Sequence, residues 1–259
     1  MGRTYKRLPP ESIREMQRLA QEGLSLEKIA LALDSGKSTI YYHAKPYCRK
    51  QTGLKLDILT MKEKGYLMGM FVGDGNIILK PKKGQYGIKI TLDKTNDQDI
   101  AEYFHTLMDK AGKKIQRQIE RNSLVLRIFS KKLVEFILNY ISIKRQFNSR
   151  RNIKSLINCQ NWNADFKIGF VGGLIDSDGY VFHRKNRKHY GAIVKTNDQL
   201  LGKQIHSILQ DLGLNTYIRA HEFNGTYQTT ALCYDVYIPS KEMLKLCREM
   251  ISVKHARYH

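Results

Sequence analysis

Apolar positions in this chain alternate between two spacings, and the order of the alternation occurs twice. Ile100, Phe104, Leu107 and Met108 lie on one side of a helix predicted over Asn96–Lys110. Ile88, Ile90 and Leu92 interleave with Lys89 and Thr91, the two-residue period of a strand over Tyr86–Leu92 with one buried and one polar face. Asn76–Lys80 pairs with it around the turn Pro81-Lys82-Lys83-Gly84. Lys113–Glu120 and Leu124–Ser130 form a second hairpin around Arg121-Asn122-Ser123, and Lys131–Ile141 closes the unit as a helix. The same order returns as strands near Tyr180–Lys185 and Tyr190–Lys195, a helix Asn197–Leu212, strands Asn215–Phe223 and Thr230–Ile238, and a helix Ser240–Met250. Arg145–Gln160 reads as a polar, basic connector between the two.

Each unit is preceded by an apolar run with a small residue every fourth position. The runs are Gly65-Tyr66-Leu67-Met68-Gly69-Met70-Phe71-Val72-Gly73-Asp74-Gly75 and Gly169-Phe170-Val171-Gly172-Gly173-Leu174-Ile175-Asp176-Ser177-Asp178-Gly179. Small residues at i, i+4 and i+8 bare the backbone on one helix face, so two such faces pack with unusually close axes. Gly65, Gly69, Gly169 and Gly173 are the expected packing contacts. Both chains then exit at Asp-Gly, which would set Asp74 and Asp178 side by side. Adjacent carboxylates repel unless neutralised, and a divalent metal is the natural partner for such oxygen ligands. Packing alone would also explain the glycines, but it leaves the recurrence of the acids unexplained. Asp178 follows Asp74 by 104 residues, and Thr95-Asn96-Asp97-Gln98 recurs as Thr196-Asn197-Asp198-Gln199 at an offset of 101. That is the signature of a duplicated, domain-sized unit.

On these residues the chain resembles the LAGLIDADG homing endonucleases in their single-chain, two-motif form. Leu67–Gly75 and Val171–Gly179 take the nine motif positions, with Val72 where the second copy has the acid Asp176. The resemblance covers about Leu59 to Arg248. It implies an α+β fold: a pseudo-two-fold duplicated α-β-β-α-β-β-α core with saddle-shaped antiparallel sheets. It also implies a site-specific double-strand DNA endonuclease that leaves 3′ overhangs. Asp74 and Asp178 would bind Mg2+, with Mn2+ as a substitute, joined by the carbonyls of Gly73 and Ser177. The sixth-position acid is not a metal ligand in the family. Lys94 and Lys195, just before the repeated Thr-Asn-Asp-Gln, stand where similar enzymes place groups that organise water or stabilise the transition state. A lysine there is also commonly just solvated.

Charge points to the same partner independently. The 259 residues hold 44 Lys+Arg against 24 Asp+Glu, a net +20, which suggests a polyanion. Lys80, Lys82, Lys83, Lys89 and Lys94 lie in or after the first hairpin of unit one, and Arg184, Lys185, Arg187, Lys188 and Lys195 in the matching hairpin of unit two. The family lays that polar face, here including Lys89 and Thr91, along the DNA grooves.

The first fifty residues read differently. A helix Pro9–Glu22 ends at Gly23, Ser25 caps a second over Leu26–Leu33, and Asp34-Ser35-Gly36 turns into a third over Lys37–Lys45, which Pro46 stops. Ser-Leu-Glu-Lys-Ile-Ala followed after six residues by Lys-Ser-Thr-Ile-Tyr is similar to a resolvase-type helix-turn-helix. Its recognition helix would expose Lys37, Ser38, Thr39, Tyr41, Tyr42 and Lys45 to a major groove. A plain three-helix adaptor is the alternative.

Cys48, Cys159, Cys233 and Cys247 show no Cys-x-x-Cys spacing, so zinc and a disulfide framework are unsupported and a reducing, intracellular setting (cytoplasmic or organellar) is expected. No long apolar span predicts a membrane partner. His255 and His259 fall in a basic tail and read as solvated. The expected layout is 1–54 helix-turn-helix, 55–143 first repeat, 144–162 linker, and 163–259 second repeat with basic tail, in a monomer acting as a pseudo-dimer on double-stranded DNA. Two other readings stay open: a sequence-specific transcription regulator that kept the fold without cleavage, and an intron RNA-splicing maturase. A-form RNA hides its major groove, which favours duplex DNA.

Overall fold

The computed structural model describes residues 8–47, 53–145, 152–184, 189–224 and 230–257. The chain divides into two compact units, Met1–Gly53 and Leu54–His259.

The smaller unit holds α1 (Pro10–Gln21), α2 (Leu26–Ala32) and α3 (Lys37–Ala44). Pro10 opens α1, where its missing N–H costs nothing, and Gly23 at φ 93° ends it. The Ser25 hydroxyl accepts from Lys28 N at 3.3 Å and caps α2. Met16, Ala20, Ile29, Ile40 and Ala44 close a small core of their own. Beyond α3 the chain makes a single 3-10 turn, Lys45–Tyr47. Cys48 lies outside the described residues.

The larger unit is the duplicated core. Repeat one runs α4 (Met61–Asp74), β1 (Gly75–Lys80), β2 (Gln85–Asp93), α5 (Gln98–Lys110), β3 (Gln116–Glu120), β4 (Ser123–Phe129) and α6 (Lys131–Leu138). After β5 (Ile141–Arg145) and β6 (Asn152–Leu156), repeat two runs α7 (Ala164–Ser177), β7 (Gly179–Arg184), β8 (His189–Thr196), α8 (Gln199–Asp211), β9 (Tyr217–Asn224), β10 (Thr230–Ile238) and α9 (Ser240–Cys247), followed by α10 (Val253–Ala256). Each repeat builds a four-stranded antiparallel sheet, ordered β1-β2-β4-β3 and β7-β8-β10-β9. Ile88, Ile90 and Leu92 are buried while Lys89 and Thr91 face outward, as the alternation requires. One continuous core joins both repeats, with Tyr66, Phe71, Phe104, Phe166 and Phe170 among its fully buried side chains.

Three expectations change. The connector is not merely linker: Ile141–Arg145 and Asn152–Leu156 pair as an antiparallel ribbon, Ile143 opposite Lys154. Its polar, basic composition hid the strand period. The last helix of repeat two stops at Cys247 rather than Met250, and a further short helix, α10, follows. His255 is not solvated; it is buried, with its Nδ1 against the Tyr190 hydroxyl. His259 lies outside the described residues. Smaller shifts have local causes. Helix α5 begins at Gln98 because the Asp93 carboxylate takes the amides of Thr95 and Asn96, both at 2.8 Å, into a turn. Among the described residues no helix is long and apolar enough to cross a membrane.

Candidate active site and nucleic-acid face

Both glycine-lined helices start from strong caps. Thr60 and Glu63 form a reciprocal capping box at α4, and the Asn163 side chain accepts from Phe166 N at 2.8 Å at α7. The helices then pack backbone to backbone. A Cβ built on Gly65 would lie 2.9 Å from Phe170 N, and one on Gly169 2.7 Å from the carbonyl carbon of Lys62. At the far end a Cβ on Gly73 would meet the Ser177 side chain and, at 3.2 Å, Asp178 Oδ2. The close axes therefore converge on the two acids.

Asp74 feels the charge of Asp178. Asp74 is half-buried; burial first, and then the charge of Asp178, push its carboxyl up to about 7. Asp178 is open to solvent on one side, and the protein on its other side raises it as well. Two lysines oppose that rise at both acids: Lys154 and Lys254. Lys154 Nζ, on β6, donates to the carbonyls of Phe71 (2.9 Å), Val72 (2.7 Å) and Gly73 (3.1 Å) at the end of α4. Lys254 Nζ, on α10, donates to Ser177 and Gly179, both at 3.1 Å, at the end of α7. Each ammonium thus sits on the negative end of one helix dipole, beside one acid. Burial pushes Lys154 down to about 8, against the pull of Asp178 and Asp74.

Sequence reasoning missed these two lysines. Neither lies near a motif, and only the ribbon and the α10 segment carry them to the site. Lys94 and Lys195 stand elsewhere. Both are exposed, Lys94 in the turn before α5 and Lys195 opposite Asp235 across β8 and β10. Neither is among the charges acting on the two acids. The repeated Thr-Asn-Asp-Gln serves helix entry: Asp198 Oδ1 accepts from Leu200 N at 2.9 Å, and Asp97 Oδ2 from Asp93 N at 3.1 Å.

The donor set at the helix ends is hard oxygen: two carboxylates, while the carbonyls of Gly73 and Ser177, expected to join them, here accept from Lys154 and Lys254. Among the described residues no cluster of three or more His, Cys, Asp or Glu competes with it as a metal site. Such a set suits Mg2+ or Mn2+ rather than zinc.

The outward sheet faces of the two repeats differ in chemistry. One register row of repeat one reads Asn76, Lys89, Arg127, Gln116 across its strands. The corresponding row of repeat two reads Tyr180, Ile193, Tyr237, Tyr217, with the Tyr217 and Tyr237 rings stacked at 4.8 Å. Lys80, Lys82 and Lys83 are exposed at the first hairpin tip, and Lys89 pairs with Glu120 at 3.4 Å. Arg184 ends β7, while Lys185, Arg187 and Lys188 lie outside the described residues. Lys37, Ser38, Tyr41 and Tyr42 of α3 and Lys45 just beyond it are exposed, Thr39 is half-buried, and Lys37 pairs with Glu27 at 2.9 Å.

Residues 165–251 match the family described as LAGLIDADG-like domain. The ATP-dependent DNA helicase Hel308 of Thermococcus kodakarensis is 24% identical over 192 residues, 73% of this chain; the chain spans only 16% of that relative's length. Among solved structures, one of mesophilic variants of the homing endonuclease I-DmoI shares 22% identity at a TM-score of 0.52, covering 73% of this chain and 95% of that one. A crystal structure of I-DmoI with DNA and Mn shares 23% at 0.50, covering 74% and 97%. Residues 165–251 thus match the LAGLIDADG-like domain family, and the fold across both repeats is similar to that of I-DmoI.

Proposed function

We propose that the chain is a site-specific, divalent-metal-dependent double-strand DNA endonuclease that leaves 3′ overhangs. The observation that carries this reading is the meeting of Asp74 and Asp178 at the end of the glycine-faced helix pair, each with a lysine beside it. A folding role alone does not explain two carboxylates raised by burial, Asp74 also by the charge of Asp178; such a pair is a cost that function repays. I-DmoI, similar in fold, has been crystallised with its target DNA in the presence of Mg and with DNA and Mn.

Asp74 and Asp178 would hold the metal, which when bound polarises the scissile phosphates and lowers the pKa of an attacking water. Lys154 and Lys254 act on the chain's own groups: they offset part of the rise in both carboxyls and add positive charge where phosphates arrive. Lys80, Lys82, Lys83, Lys89 and Thr91 would follow the backbone and base edges, with Arg184, Lys185, Arg187 and Lys188 proposed from sequence as further phosphate contacts. Lys94 and Lys195, outside the acid cluster, fit phosphate contact better than catalysis. The smaller unit would add a helix-turn-helix contact through α3.

Selection of cleaved molecules from a random duplex library with Mg2+ tests the reading. Enriched sites with 3′ overhangs, lost in Asp74→Asn and Asp178→Asn, are expected. Retained sequence-specific binding with no cutting of either strand under Mg2+ or Mn2+ would replace it with the non-cleaving regulator.

A further inference from the structure

We propose that Asp176 is a positioning residue: it docks the segment Ser252–Arg257 onto the core and thereby delivers Lys254 to the acid pair. The inference rests on the endonuclease reading for its functional consequence, and on geometry alone for the docking.

The two motif helices are not equivalent at two matched positions. Position 72 is Val72 in repeat one, and its counterpart 104 residues on is Asp176; likewise Met68 answers to Gly172. Gly172 and Asp176 are four residues apart on α7, so they share one face. Both serve the same crossing segment. A Cβ on Gly172 would lie 2.9 Å from the carbonyl carbon of Ile251 and 3.0 Å from Met250 Cγ, so only glycine lets that strand of chain run against the helix. Asp176, wholly buried, then takes four donors. Oδ1 accepts from Ser252 Oγ (2.7 Å) and Lys254 N (2.9 Å); Oδ2 accepts from Val253 N (2.7 Å) and from the Tyr66 hydroxyl of α4 (2.8 Å). Three of the four donors belong to the segment, and one is the amide of Lys254 itself. From that anchored backbone Lys254 Nζ reaches Ser177 and Gly179. Three residues on, Arg257 Nε donates to Asp99 Oδ2 at 2.7 Å and its Nη2 to the Asn96 carbonyl at 2.6 Å, which fastens the segment to repeat one.

Repeat one needs no such acid, because the ladder of β5 and β6 already fixes Lys154. That is why Val72 suffices where repeat two has Asp176. The two half-sites are therefore supported by different devices, and one can be loosened without the other.

The test compares full-length wild type, Asp176→Ala, Ser252→Ala as a milder variant, and Lys254→Met. Without metal or DNA, acetylation of individual lysines by acetic anhydride is followed by mass spectrometry. Loss of the anchor should speed labelling of Lys254 by about tenfold, the scale of one charge-assisted hydrogen bond, with Lys154 unchanged. An unchanged Lys254 rate in Asp176→Ala and Ser252→Ala, or a parallel rise at Lys154, overturns the proposal. With Mg2+ and a selected site, strand-resolved cutting should show Asp176→Ala slowing the same strand as Lys254→Met, and the double variant no slower than Lys254→Met alone. Equal slowing of both strands, or an additive double variant, rejects positioning. If wild type cuts no duplex, the endonuclease reading fails, and the labelling result alone decides the docking.

Discussion

Gly69 and Gly173 meet across the helix pair with no side chain between them. A Cβ on Gly69 would lie 2.9 Å from the carbonyl carbon of Gly173 and 2.7 Å from Leu174 N, and one on Gly173 would lie 2.8 Å from Met70 N. These neighbours are backbone and cannot rotate away. Gly69→Ala or Gly173→Ala gains about 1 kcal/mol of helix propensity but forces the axes apart, so a net loss of roughly 3 kcal/mol or more is expected. Thermal melts followed by circular dichroism measure it; an unchanged Tm in both variants would mean the helices do not share this face.

The acid pair should make metal-free stability depend on pH. Burial and Asp178 hold the Asp74 carboxyl up to about 7, so the native state keeps a proton that the unfolded chain releases near pH ~4. This contribution is complete below the unfolded value and is lost as pH rises through about 7. Asp74→Asn removes both the charge and the penalty. It should raise Tm at pH 8 by about 2 kcal/mol equivalent, roughly 4–8 °C, and by clearly less at pH 5. Equal shifts at the two pH values would contradict the coupling.

Lys154→Met removes the cation that bonds three carbonyls at the end of α4 and pulls both acids down. The carboxyls should then titrate higher. The acid limb of the cleavage pH profile should move to higher pH, and the Mg2+ concentration for half-maximal rate at pH 7 should rise. A profile that only scales down in height would assign Lys154 to folding.

Much of this was legible along the chain because its cause is local. Alternation around Ile88 to Leu92 gave the strand and its buried face; the four-residue spacing of Gly65, Gly69 and Gly73 gave the close helix. Lys154 and Lys254 were not legible. Their roles arise from a ribbon without an apolar stripe and from a segment whose partner, Asp176, is 78 residues away from Lys254. The difference between Val72 and Asp176 was visible, but its meaning was not, since nothing in sequence shows which chain a buried carboxylate will receive.

The unlike sheet faces predict unlike halves of the target. Lys89 belongs to a charged row and Tyr237 to an aromatic one. Lys89→Gln should weaken binding and reduce the slope of log affinity against log salt by about 1, since one fewer phosphate charge is neutralised. Tyr237→Ala, which unstacks Tyr217, should weaken binding with the slope unchanged. Fluorescence anisotropy from low to moderate salt separates them; equal slope changes would mean that the two faces meet DNA alike.

Among the described residues the smaller unit has its own buried core of five residues, separate from that of the duplicated unit. Both acids and both lysines at the site lie in Leu54–His259. A protein beginning at Leu54 should therefore fold, keep cutting the selected site in Mg2+, and show a Tm for the core close to that of the full chain. It should bind more weakly, with a shorter footprint and a shallower salt dependence, because the DNA contact proposed for Lys37, Tyr42 and Lys45 is lost. Footprinting titrations of the two proteins on one site read out both quantities. An identical footprint and slope would make the smaller unit an adaptor for a partner other than this DNA, and loss of folding in the shorter protein would show that the core depends on it.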